Sequence, residues 1–266
     1  MEENFPKPQK LSADKLSAEL KNFQIDFPLY FFEECDSTNT RAAEIQKNGE
    51  THDFFAVAAS QNAGRGRFDR KWIDETGKSI CISAMLNVSR IDPTLLGCFG
   101  VLAGVEICNA LRGYCDADLK LKWPNDIYCD GKKLAGMIAS LNISQTGEKH
   151  ILFGIGINFA PIVSDNLEYA SLAEYAKIQI EINECAALAI ASIYEAFDRL
   201  VCDEADSLQR EFAQIDYLRG KEIAVNCAGK ILQGEASGID EEGRLILRSG
   251  NKIFLAGAGE ASIIKQ

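Results

Sequence analysis

The chain has 266 residues, 47% apolar and 25% charged, a globular composition that excludes a disordered, collagen-like or mucin-like protein and suits one large domain with a small appendage. Thirty-nine acidic against 28 basic side chains leave a net charge of −11, which disfavours duplex DNA or an anionic membrane as partner and makes any anion site local. Nine cysteines, none spaced CxxC, and only two histidines read as reduced, mostly buried thiols of a cytoplasmic protein, not as a disulfide or zinc framework.

Met1 to Lys10 lacks the apolar stretch of a signal peptide, and the best apolar run, Cys98 to Leu111, is interrupted by Glu106 and too short to span a membrane. Leu11, Leu16 and Leu20 recur at near-helical spacing and predict one short amphipathic helix within residues 11–25. From Phe31 the stretches FFEEC, FFAVAAS and SICISAML read as strands, and Leu95 to Arg112 as a long helix, with helix and strand alternating through the middle of the chain. Helical patterns follow at Glu184–Leu200 and Ser207–Phe212. After Tyr217 the texture changes: eight of the 21 glycines fall in the last 49 residues and separate short segments such as EIAVNC and RLILRS, the pattern of a small β-barrel. The expected fold is α+β, divided into an extension over residues 1–30, a mixed-sheet domain over 31–217 and a barrel over 218–266.

Four segments carry candidate chemistry. In CDSTNT, residues 35–40, Ser37, Thr38 and Asn39 offer a row of donors and acceptors that suits a neutral polar ligand such as a urea, and equally suits a helix N-cap. In QNAGRGRFDRKW, residues 61–72, Arg65, Arg67, Arg70 and Lys71 against Asp69 give +3. Glycines between arginines let the backbone fold closely around a phosphate or carboxylate, although a solvated turn has the same composition. Asp69 stands where a dinucleotide fingerprint needs its third glycine, and Trp72 where GKS at 77–79 would need the first glycine of a P-loop, so both motifs are excluded.

In LKLKWPNDIYCDGKKLAGMI, residues 119–138, alternation predicts a half-buried strand that Pro124 interrupts, and Asp130-Gly131 predicts a hairpin turn. That register sets Tyr128 opposite Lys133 and Asp126 opposite Ala135. Asp126 and Lys133 then share one sheet face at a diagonal separation of roughly 7–8 Å between backbones, as a reactive pair or an ordinary salt bridge. In ILFGIGIN, residues 151–158, the odd positions are apolar, while Gly154, Gly156 and Asn158 share the other face. Two glycines there imply close approach of a ligand, close approach of another backbone, or a bulge.

Taken in order, DSTN, GRGR…RKW, KWPND, KKLAGM and GIGIN resemble the biotin protein ligases over about residues 31–262. The resemblance implies a mixed-sheet catalytic domain of the biotin/lipoate ligase type followed by a small SH3-like barrel. It implies that biotin is activated by Mg-ATP as biotinyl-5′-AMP and transferred to a lysine of a biotin carboxyl carrier protein, with no tightly bound prosthetic group. Ser37, Thr38, Asn39 and Gln61 would meet the ureido ring. Arg65, Gly66 and Arg67 would close over biotin and phosphate, with Arg67, Lys133 and Asp126 as the catalytic set. Lys133 would hold carboxylate and phosphate oxygens. Asp126 would serve the incoming amine or organise Mg²⁺, for which no site fixed by protein alone is expected. Asn158 would lie near the adenylate and Tyr169 against adenine. The family's loop reads GRGRxGRxW, so Asp69 replaces a glycine, a position where positive φ is expected. With about 30 residues before the catalytic domain, neither operator binding nor a membrane role is expected; a homodimer is compatible. A lipoate ligase and a non-catalytic biotin sensor are the competing readings.

Overall fold

The computed structural model describes residues 9–161, 169–178, 180–202, 204, 206–227, 229–257 and 260–264. In chain order the elements are α1 (Ala13–Asn22), β1 (Leu29–Phe32), α2 (Thr38–Lys47), β2 (Phe54–Ala58), β3 (Ser79–Asn87), α3 (Phe99–Leu111), β4 (Leu119–Lys122), β5 (Asp126–Cys129), β6 (Lys132–Ile143) and β7 (Lys149–Asn158). There follow α4 (Leu172–Tyr175), α5 (Ile182–Val201), α6 (Leu208–Ile215) and five strands, β8 (Glu222–Cys227), β9 (Lys230–Ile239), β10 (Leu245–Ser249), β11 (Lys252–Ala256) and β12 (Glu260–Ile263). The fold is α+β, with a seven-stranded mixed sheet ordered β1-β2-β3-β7-β6-β5-β4 and a five-stranded antiparallel sheet ordered β11-β10-β9-β8-β12. β1 and β2 are parallel and the other neighbours antiparallel.

One expectation is corrected: helix and strand do not alternate through the middle. Between Leu119 and Asn158 the chain is an uninterrupted meander, β4 to β7, because each connection is a tight turn too short to hold a helix. Asp130 (φ 47°) and Gly131 (φ 80°) make the turn read from sequence, both in the left-handed region that such hairpins require.

The large sheet has two unlike faces. Ile80, Ile82, Ala84 and Leu86 of β3 and Ile151, Phe153, Ile155 and Ile157 of β7 form one face, buried under α3 and α5. α3 is apolar almost all round because it lies between the sheet and other helices, and Gly104 admits Leu121 and Met137 against its backbone. On the opposite face α2 covers only one end, where Ala42 packs with Phe54, Ala56, Met85 and Leu152. Toward the first turn of α2 and past it, the same face carries small and polar residues: Ser83 of β3, Gly154 and Gly156 of β7, Gly136 of β6. Apolar residues over half the face seat the helix, and their absence over the other half leaves a recess.

A bulge in β6 decides which residues line that recess. Tyr128 pairs with Lys133 as expected, but Asp126 pairs with Gly136 and not with Ala135, because the register shifts between Ile127 and Tyr128. Lys133 and Gly136 are three apart, so a regular strand would point them to opposite faces. The extra residue in the pair Leu134–Ala135, both buried, returns Lys133 to the face of Gly136.

The five-stranded sheet encloses Ile223, Val225, Ala236, Leu245, Leu247 and Ala256. Gly234 is required there, since a Cβ would lie 2.5 Å from the Arg248 carbonyl oxygen. The turn before β10 meets the large sheet: Trp123 Nε1 donates to Gly243 O at 2.9 Å, and Gly243 (φ 75°) rests against Cys98. Among the described residues no helix is long and apolar enough to cross a membrane.

Candidate active site

A cavity of about 700 Å³ opens on the recess and is lined by every site residue expected from sequence: Ser37, Thr38, Asn39, Gln61, Arg65, Gly66, Arg67, Asp126, Lys133, Asn158 and Tyr169. At one end the lining is neutral and polar. Ser37 holds the N-cap position of α2 but makes no side-chain capping bond; the first-turn amide of Thr38 instead donates to Gln61 Oε1 at 2.6 Å. Gln61 therefore caps this helix from a distant loop, and its own N–H is taken by the half-buried Asp74 carboxylate, whose pKa desolvation raises. Ser83 Oγ lies 2.7 Å from Thr38 Oγ1 and donates to Asn39 Oδ1 at 2.6 Å. With its oxygen so occupied, the Asn39 amide presents its N–H₂ as the donor group.

The loop from residue 61 to 74 forms the roof. Trp72 N donates to Gly64 O (3.0 Å), Arg65 bridges Lys71, and Gly66 N donates to Arg70 O (2.7 Å), closing a narrow hairpin whose tip is a 3₁₀ turn, Arg67–Asp69. The left-handed residue of the tip is Phe68 (φ 56°), not the expected Asp69, and Phe68 is 59% exposed. Arg67 lies 5.0 Å from the Phe68 ring centroid and donates to Asn125 Oδ1 at 2.9 Å.

At the centre Lys133 Nζ donates to Asp126 Oδ1 at 2.8 Å. Asn125 fixes this pair, since its Nδ2 donates to Met137 O (2.9 Å) and meets Asp126 Oδ1 (3.2 Å) while its Oδ1 receives Arg67. Asn158 is buried in the wall; its amide donates to Lys133 O (3.2 Å) and Ala170 O (3.1 Å) and so ties the segment carrying Tyr169 to β6. Burial raises the pKa of Tyr169, and that of Tyr128 to about 12, with Asp126 adding to both, so both phenols stay neutral. Cys81 lies beneath the site with its thiol pushed well up by burial.

Arg65, Arg67, Arg70, Lys71, Lys122 and Lys133 line the cavity against one carboxylate among the described lining residues, Asp126, in a chain of net charge −11. That concentration of cations suits an anionic ligand. Sequence reasoning passed over Asn125, Lys122, Tyr128, Trp72 and Ala261, which also line the wall. Asn125 lies inside the KWPND motif, and its contact with Arg67, 58 positions away, is what distinguishes it. Ala261 comes from the second sheet and has no local signal at all.

The sequence profile of the Biotin/lipoate A/B protein ligase family matches residues 31–158, and that of the Biotin protein ligase C terminal domain matches residues 219–263. The chain is 28% identical over 264 residues to the bifunctional ligase/repressor BirA of Bacillus subtilis, covering 93% of this chain and 77% of that protein. It is 25% identical over 209 residues to the biotin–[acetyl-CoA-carboxylase] ligase of Mycobacterium tuberculosis, covering 77% and 76%. A solved structure of the biotin protein ligase from Aquifex aeolicus in complex with biotin and ATP superposes with a TM-score of 0.75 over 90% of this chain and 99% of that one, at 23% identity, and shares its fold. With one profile on each sheet and relatives aligned along most of its length, the chain belongs to the biotin protein ligase family.

Proposed function

We propose that the protein is an ATP-dependent ligase that activates biotin as biotinyl-5′-AMP and transfers the biotinyl group to a lysine of a biotin carboxyl carrier protein. The observation that carries this reading is the union, in one cavity, of a neutral polar recess at Ser37–Asn39 with a cationic centre at Lys133, Asp126 and Arg67. Biotin has the matching shape, a urea at one end and a carboxylate at the other. Its carboxylate oxygen attacks the α-phosphorus of ATP, pyrophosphate leaves, and the carrier amine then attacks the acyl carbon, releasing AMP and a proton.

Both steps join or separate anions, so preorganised positive charge is the main contribution required of the protein. Lys133 is assigned to the carboxylate and α-phosphate oxygens, with Arg65, Gly66 and Arg67 closing over them. Asn39 donates to the ureido oxygen, with Ser37 and Thr38 beside it, and Gln61 acts by holding Thr38 in place. Asp126 orients Lys133 and receives the incoming amine. Asn158 holds Tyr169 beside Lys133, where the ring can stack on adenine. Mg²⁺, when bound with ATP, neutralises part of the triphosphate charge. Among the described residues no three ligating groups converge to hold a metal alone, and Asp126 is the carboxylate that fits a metal held mainly by phosphate oxygens.

The test is to incubate the protein with ATP, Mg²⁺, biotin and a biotin carrier domain and to weigh the products intact, with lipoate in a parallel reaction. One biotinyl addition that needs both biotin and ATP is expected. Addition of lipoate instead would convert the reading to a lipoate ligase, and tight biotin binding without turnover would make the protein a sensor. The match to a biotin-specific second domain favours biotin over lipoate.

A further inference from the structure

The glycines on the recessed face of β7 have no bulge to explain them, because the register with β3 and with β6 is continuous through both. The protein atoms that approach them belong not to another backbone but to side chains of the site itself. A Cβ on Gly154 would lie 2.3 Å from Asn39 Oδ1, 2.7 Å from Nδ2 and 2.8 Å from Cγ, so the Asn39 amide occupies the space a side chain at 154 would fill and turns its O/N edge toward the bare backbone. A Cβ on Gly156 would lie 2.3 Å from Trp72 Cε2 and 2.5 Å from Cζ2. Directly across the sheet, Gly136 faces Gly156, and its Cβ would meet Trp72 Cζ3 at 3.2 Å and Lys133 Nζ at 3.1 Å.

We propose that the glycine row divides into two separate positioning seats, one for the residue that reads the ligand's head and one for the residue that anchors the roof. Gly154 seats Asn39. The amide is held between Ser83 Oγ on one side and a strand that offers no side chain, which fixes the direction in which its N–H₂ points. Gly156 and Gly136 form a slot for the Trp72 indole. Trp72 closes the hairpin of residues 64–72, so the slot sets the height of the Arg65–Arg67 segment above Lys133. A methyl group at 154 should therefore damage recognition of the head, and a methyl group at 156 should damage closure. The proposal rests on the biotin ligase reading for the identity of the ligand but not for the geometry of the seats.

The variants are Gly154→Ala, Asn39→Ala, their combination, and Gly156→Ala, each assessed by thermal melting, biotin binding without ATP, and AMP released per biotin transferred. If Gly154 acts through Asn39, Gly154→Ala lowers the melting temperature, and adding Asn39→Ala restores it by vacating the space. Biotin binding falls about tenfold or more in Asn39→Ala, and the double variant binds no more weakly than that single one. Gly156→Ala is expected to leave biotin affinity within about threefold while raising AMP release per transfer about tenfold, since a displaced roof lets water reach the acyl-adenylate. A melting temperature that Asn39→Ala does not restore, additive losses in the double variant, or the same profile for both alanines would overturn the proposal. Failure of the unmodified protein to bind biotin would refute the ligand while leaving the melting cycle to decide the seats.

Discussion

Lys133 and Asp126 meet at 2.8 Å with side chains 28% and 20% exposed, so the pair is screened less than a surface salt bridge. Replacing Lys133 by Ala removes the charge assigned to carboxylate and phosphate, and adenylate formation, measured by pyrophosphate release, should fall about 10²- to 10³-fold with little change in melting temperature. Asn125 makes a different prediction. Asn125→Ala breaks the hydrogen bond between Arg67 and the KWPND segment, so carrier modified per ATP consumed should fall about tenfold while biotin affinity is nearly unchanged. These two residues also show how far the sequence reached. Lys133 and Asp126 were legible because a two-residue turn fixes strand register locally, and the face they share follows from it. Asn125 was not, because its meaning lies in a partner 58 positions away.

Two elements hold strain or charge that experiment can read. The loop tip places Phe68, an exposed aromatic residue, at φ 56° and ψ 42°, where a side chain costs roughly 1 kcal/mol that glycine does not incur. Phe68→Gly should therefore leave thermal stability unchanged or raise it by up to about 1 kcal/mol, whereas Phe68→Ala should not raise it; a melting curve for each decides the point. Between β1 and β2, Glu50 accepts from Tyr30 Oη (2.6 Å), from the His52 N–H and ring, and from Thr51 N, which together hold its pKa down to about 2, the Tyr30 bond contributing most. The folded state thus binds this proton less readily than the unfolded chain. The stability it contributes is present above the ordinary value of 4.5 and is lost as pH falls toward about 2. Denaturant midpoints should fall across that window in the parent and fall less in Glu50→Gln. At this scale the strands and long helices were readable from period and turn residues, as in β2, β3, α3 and α5. The bulge at Leu134 was not, since it inserts one apolar residue into an apolar pair and leaves the pattern looking regular.

Across the molecule, the second sheet reaches the site through Trp123, whose Nε1 donates to Gly243 O in a fully buried contact, and through Ala261 on the cavity wall. Trp123→Phe keeps an aromatic ring, though a smaller one, and leaves that carbonyl without its donor, at a cost of about 1–3 kcal/mol. The melting temperature should fall by roughly 2–4 °C per kcal/mol for a chain of this size. Carrier modification should slow along with it, because the same residue precedes Pro124 and Asn125. Only long-range packing shows this dependence; composition marks the change of texture after Tyr217 but not what the second sheet touches. The chain contains two tryptophans, Trp72 in the glycine slot and Trp123 at the junction of the sheets, and both line the same cavity. Its tryptophan fluorescence, excited beyond the tyrosine band, therefore arises wholly from the site. Ligand entry can be followed optically without a label, and Trp72→Phe or Trp123→Phe would leave a single emitter that watches either the junction or the roof alone.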